Sequence, residues 1–177
     1  MKAQRGFNLI ELIVTVSLAT LLLVAGVSSF QTVLDNNRLN TVTNEFVTAL
    51  NLARSEAVKR NNRVVLRKAD TSTTSYTTQS SQGYEQGWII FVDNDNDATL
   101  DTGESLLQVF DRPSRLGVTL LGNANLTDYV MFTPEGFAKT TAGAFQAGTL
   151  TVCKNSKARQ VIISSTGRIR TVDSGSC

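Results

Sequence analysis

Histidine is missing from all 177 residues, and proline is reduced to Pro113 and Pro134. Without an imidazole there is no ordinary neutral-pH proton shuttle and no histidine-activated serine or cysteine nucleophile. Cysteine is nearly as scarce: Cys153 and Cys177 are the full complement, and both stand near the end of the chain. No serine or lysine sits in a recognisable nucleophile motif, and no spacing singles out a carboxylate pair for acid–base work. This composition predicts a chain that is not an enzyme and needs no cofactor. Serine, threonine and asparagine are abundant, a balance closer to an extracytoplasmic β-rich surface than to a cytosolic enzyme.

Charge is absent from one long stretch. Residues 12–30 carry none, after a leader with Lys2 and Arg5 and a single acid at Glu11. A helix rising about 1.5 Å per residue needs roughly 20 apolar residues to cross a bilayer, and this run is long enough. A cleavable secretory signal would end its apolar stretch at a small-residue cut site, whereas here Gly6-Phe7 follows the basic leader at once. A plain anchor does not account for Glu11, because a carboxylate at the centre of a membrane helix costs on the order of 3 kcal/mol. Glu11 needs a partner.

Residues Arg5-Gly6-Phe7-Asn8-Leu9-Ile10-Glu11-Leu12 resemble the processing signal of type IV pilins and type II secretion pseudopilins. The resemblance implies that a prepilin peptidase cuts after Gly6 and methylates the new amino terminus at Phe7. It also implies that Glu11 pairs with the Phe7 ammonium of a neighbouring subunit, and opposite charges attract strongly in a low-dielectric seam. The expected partners are then other pilin subunits, the peptidase, and the inner membrane before assembly. The expected location is a single pass in the bacterial inner membrane with a periplasmic head, and later a pilus at the cell surface.

Beyond the apolar run, Leu39, Val42, Phe46, Leu50, Ala53 and Ala57 recur at spacings of three and four, so one helix is predicted over residues 8–61. Asn61-Asn62 suits its end, because asparagine tolerates the left-handed conformation that closes helices. Seven short β-like runs follow, at 63–68, 88–92, 105–110, 116–121, 129–132, 149–153 and 159–164. Residues 71–82, rich in Ser, Thr and Gln, read as a hairpin or a loop. The chain therefore divides into a leader (1–6), a membrane and assembly half of the helix (7–30), an amphipathic half (31–62) and a β-rich head (63–177). The predicted class is α+β, one long N-terminal helix packed on antiparallel sheet. This order, with Leu52-Ala53-Arg54-Ser55-Glu56-Ala57 and Gly87-Trp88-Ile89-Ile90-Phe91-Val92-Asp93, resembles the FimT and GspH group of minor pilins and pseudopilins.

In a compartment that oxidises thiols, Cys153 and Cys177 read as one disulfide pinning the C-terminal tail, the alternatives being free thiols or an intermolecular bridge. Asp93, Asp95, Asp97, Asp101 and Glu104 fall on calcium-loop positions. Ala98 replaces the expected glycine and strands flank the segment, so a hairpin tip whose side chains bond their own backbone is the favoured alternative.

The formal charge of +2 conceals a segregation. Residues 70–135 hold ten acids against Arg112 and Arg115, whereas residues 139–177 hold Lys139, Lys154, Lys157, Arg159, Arg168 and Arg170 against Asp173. A basic terminal face of this kind attracts polyanions, and Arg54, Lys59, Arg60 and Arg63 at the helix end add to it. In an extended backbone Arg168 and Arg170 project to one side, and Gly167 permits a sharp turn before them. Gly167-Arg168-Ile169-Arg170 resembles the GRxR tail of FimT-type minor pilins, which implies non-sequence-specific DNA binding in natural transformation. Lys154, Lys157 and Arg159 are predicted to join that surface. The tail itself has no aromatic pair on which bases could stack, so phosphate contacts would supply the affinity. The alternative is a structural minor pilin or secretion pseudopilin that primes or caps a filament, its basic tail meeting a neighbour's acidic head.

Overall fold

The computed structural model describes residues 8–72, 76 and 82–177, without the side chains of 24–29 and 124. Gly6 and Phe7 lie outside the described residues, as does most of 71–82. The chain forms two compact units, residues 1–37 and 38–177.

A single helix, α1, covers Leu9–Arg60. In the first unit its described apolar side chains are exposed, and Thr15, Ser17 and Thr20 return their hydroxyls to carbonyls one turn back at 2.7–2.9 Å. Among the described residues no helix is long and apolar enough to cross a membrane.

In the second unit the predicted face of α1 is the buried one: Leu39, Val42, Phe46, Ala49, Leu50, Ala53 and Ala57 all lie in the core. Ala49, Ala53 and Ala57 keep that buried face thin. Asn61 adopts φ +50° and closes α1, while the Asn62 N–H reaches the Ala57 carbonyl at 3.2 Å and the Asn61 N–H reaches Val58 at 3.4 Å. This pair of bonds satisfies carbonyls that a helix end otherwise leaves open.

Among the described residues eight antiparallel strands follow. They are β1 (Arg63–Lys68), β2 (Trp88–Asp93), β3 (Leu106–Phe110), β4 (Thr119–Gly122), β5 (Tyr129–Phe132), β6 (Gly148–Lys154), β7 (Lys157–Ile163) and β8 (Ile169–Asp173). One sheet has the order β3-β2-β1-β5 and the other β4-β6-β7-β8. The α+β class holds, with two differences in detail. The predicted strand at 116–121 begins later, because Pro113 opens a short 3₁₀ turn over Pro113–Leu116 that Gly117 ends at φ +65°. An eighth strand, β8, carries the C-terminal arginine.

Strand alternation divides the apolar residues cleanly. Val64, Leu66, Trp88, Ile90, Val130 and Phe132 face α1, together with Leu120, Leu150, Val152, Val161 and Ile163 of the second sheet. The odd partners Val65, Ile89, Phe91 and Met131 face a smaller cluster with Ala69 and Ala98 on the outer side of the first sheet. Phe46 anchors the shared core, its ring edge-on to Tyr84 at 5.3 Å and to Trp88 at 5.0 Å.

Candidate nucleic-acid interface at the C-terminal hairpin

The tail hairpin is built by β7 and β8, which pair from Arg159 opposite Asp173 to Ile163 opposite Ile169. Its turn closes with the Gly167 N–H on the Ser164 carbonyl at 2.9 Å and the Ser164 N–H on the Arg168 carbonyl at 3.0 Å. The Ser164 hydroxyl adds bonds to Thr166 Oγ1 at 2.8 Å and from the Arg168 N–H at 3.2 Å. Gly167 has φ +75°, the left-handed conformation such hairpin closures use, and it is buried.

The reason for a glycine is also tertiary. A Cβ built on Gly167 would stand 2.2 Å from the Gly136 carbonyl oxygen and 3.0 Å from Arg54 Nε. Arg54, near the C-terminal end of α1, donates Nε–H to the Gly136 carbonyl at 3.0 Å and Nη2–H to the Thr166 carbonyl at 3.3 Å. One guanidinium thus ties helix, 133–137 turn and tail turn together. Arg54 is engaged in the fold, whereas sequence reading counts it among the surface cations. Lys59 and Arg60 pair with Glu56 at 3.4 and 2.6 Å, and the Arg60 bond holds the Glu56 carboxyl below its ordinary range.

The five cations of the predicted surface do not form one cluster. Arg168 and Arg170 are exposed and share a shallow depression with Ile162 and Ser164 on the outer face of the second sheet. Among the described residues neither guanidinium takes part in an ion pair. Arg159 lies on the opposite side by alternation, because its cross-strand partner is Asp173 while that of Ile162 is Arg170. Its Nε sits 2.8 Å from Asp173 Oδ1. Lys154 and Lys157 face each other across the β6–β7 turn, and Lys154 Nζ donates to the Leu116 carbonyl at 2.9 Å. Cys153 and Cys177 form the disulfide, with Cα atoms 5.8 Å apart, and fasten the end of the tail to β6.

The acidic loop after β2 uses its carboxylates on its own backbone. Buried Asp93 accepts the N–H groups of Asn96 at 2.7 Å and Ala98 at 3.1 Å. Asp97 accepts from the Thr99 N–H, and Glu104 accepts from the Asn94 and Asp101 N–H groups. Burial raises the Asp93 carboxyl above its ordinary value, partly offset by those two N–H donors. The carboxylates of Asp93, Asp95 and Asp97 approach within 4.8 Å of one another, while Asp101 contributes its backbone to the loop. Asp93→Ala strands two N–H groups and is expected to destabilise the head by about 2 kcal/mol in urea unfolding.

Sequence reading places neither Phe137 nor Phe145 here, and counts Lys139 only toward the charge of the terminal face. Phe137 and Phe145 meet edge to face at 6.2 Å, and Lys139 Nζ lies 5.8 Å from the Phe145 ring centre. They reach the tail through the fold, since the Ala138 N–H bonds the Ser165 carbonyl at 3.1 Å.

The architecture is that of a pilin head. Two crystal forms of the type IV minor pilin FimU from Pseudomonas aeruginosa (strain PAO1) superimpose on this chain. One has a TM-score of 0.58 and 21% identity over 80% of this chain and 96% of that one. The other has a TM-score of 0.55 and 20% identity over 78% and 98%. No curated protein sequence matches significantly. The sequence profile described as "Type II transport protein GspH" matches residues 42–167, so the chain belongs to the GspH family of minor pilins and pseudopilins. That match ends at Gly167, and Arg168 and Arg170 lie beyond it.

Proposed function

We propose that this subunit is carried in a filament by its N-terminal helix and holds DNA through the β7–β8 hairpin, as a minor pilin supporting DNA uptake. In this reading, cleavage after Gly6 frees and methylates Phe7, and Glu11 meets the Phe7 ammonium of the next subunit in the membrane and then in the pilus. The apolar run suits that environment because the hydroxyls of Thr15, Ser17 and Thr20 are satisfied within the helix. The observation that carries DNA binding is the exposed pair Arg168 and Arg170, side by side over Ile162 and Ser164 with no carboxylate engaged among the described residues. Two guanidinium forks at alternate strand positions suit successive phosphates. Gly167 sets the turn that presents them. Lys154, Lys157 and Arg159, on the other side of the sheet, contribute to the long-range field more than to the same contact.

The competing reading, a structural subunit that primes or caps a filament without DNA, draws on the family match ending before both arginines. Anisotropy of a labelled oligonucleotide across a salt series, with the full chain in detergent micelles, separates the two. Log affinity should fall with log salt at about −0.9 per phosphate held, and Arg168→Gln/Arg170→Gln should flatten that slope by about 2 and weaken binding at least tenfold. Equal affinity and slope in the variant would leave the structural role.

A further inference from the structure

The hairpin 138–146 places an aromatic patch beside the tail turn. Lys139 pairs opposite Phe145, and buried Ala138 fixes the side to which its neighbours point: Phe137 and Lys139 turn outward. Phe145 remains 62% exposed and Phe137 37%. Both rings are therefore held at the surface by backbone pairing rather than drawn into either apolar cluster. Their backbone is joined to the arginine hairpin at Ala138–Ser165, and Ser165 stands three residues from Arg168, at most about 11 Å even in fully extended chain. The link 145–147 leads directly into β6, whose Gly148 pairs with Ile163 just before the turn, so Phe145 arrives at the same end of the second sheet.

Exposed aromatic rings bonded through their backbone to a turn whose guanidinium groups make no ion pair among the described residues match one ligand chemistry better than others: a polymer with alternating anionic and flat apolar groups. We infer that Phe137 and Phe145, with the Lys139 ammonium over the Phe145 ring, form a ledge that stacks unpaired nucleobases of a strand whose phosphates lie on Arg168 and Arg170. This rests on the DNA-binding reading and adds the form of the nucleic acid. Single strands, or frayed ends, present base faces to a protein aromatic, whereas a duplex hides them within its own stack. Arginines alone would not discriminate in favour of the single strand, because the duplex offers the denser row of phosphates.

The test uses the full chain in detergent micelles with two labelled probes of equal phosphate number, an oligothymidylate and a self-complementary duplex hairpin, at one salt concentration. Wild type is expected to prefer the single strand about tenfold. Phe145→Ser should erase the preference while leaving duplex affinity within twofold, and Phe145→Trp should keep it. The natural tryptophan, Trp88, is fully buried, so new emission from Phe145→Trp that is quenched by oligothymidylate and not by the duplex reports stacking directly. Phe137→Leu, which keeps bulk without a ring, should lower single-strand affinity partially and guards against misfolding of the serine variant.

Outcomes separate the two levels. If Arg168→Gln/Arg170→Gln binds both probes like wild type, the underlying DNA reading falls and the ledge with it. If that variant loses both probes while wild type and Phe145→Ser show the same strand preference, DNA binding stands and the stacking ledge is overturned. A change in sedimentation of Phe145→Ser with strand preference intact also overturns it, assigning the rings to a second copy of the chain.

Discussion

Gly167→Ala is expected to destabilise the head by about 3 kcal/mol, combining the 1–2 kcal/mol of a left-handed L-residue with displacement of a packed backbone. At φ +75° the new methyl meets the Gly136 carbonyl oxygen at 2.2 Å, and backbone cannot swing aside as a flexible side chain would. The turn must open, which pulls Thr166 away from Arg54 and loosens the start of β8. DNA affinity should drop with it although no charge is removed, because Arg168 follows the altered residue directly. Urea unfolding of the oxidised chain and oligonucleotide anisotropy check the two halves. Stability within 0.5 kcal/mol of wild type, the range of an ordinary surface substitution, would mean the close approach to Gly136 is not maintained in solution.

The parts of this fold that sequence exposed were those with a local cause. The buried stripe from Leu39 to Ala57 follows helical periodicity, and Asn61 closes the helix because its short polar side chain tolerates positive φ. β1 and β2 are announced by β-branched and aromatic runs whose residues are buried on both faces. β8 gave no such signal: it is an edge strand exposed along nearly its whole length, and its alternation of Ile, Thr and Arg reads equally as a polar tail. The late start of β4 follows from the Pro113 turn.

The site was legible only where neighbours in sequence are neighbours on a strand. Arg168 and Arg170 share a side because two residues return a strand to the same face, and the structure places them as that spacing requires. Lys154, Lys157 and Arg159 were grouped with them by net charge, which has no face; pairing register puts Arg159 opposite Asp173 and so on the other side. The aromatic ledge was invisible because Phe137 and Phe145 reach the tail only through a backbone bond from Ala138 to Ser165. Arg54 was misread for the same reason: a helix-end cation looks like part of a basic patch until its two acceptors, 82 and 112 residues away, are seen.

Arg54 therefore carries the second large effect. Arg54→Leu should cost about 3 kcal/mol, since two carbonyls lose a charged donor and hydrogen bonds of that type contribute roughly 1.5–3 kcal/mol each. The leucine keeps apolar bulk beside Gly136, so the loss reports the guanidinium more than packing. Arg54→Lys is the informative companion. An ammonium retains the charge but is a compact donor on a flexible stem and cannot reproduce a rigid fork that spans Gly136 and Thr166. If Arg54 served DNA by its charge, the lysine variant would bind like wild type; because it serves by fixing the tail turn, both variants should weaken binding and speed amide exchange at Gly167 and Arg168. Combining Arg54→Leu with Gly167→Ala should give less than the sum of the two costs, as both open one turn held by one group. Full additivity would mean the bonds to Gly136 and Thr166 act separately, and the helix would then have no hold on the arginine hairpin.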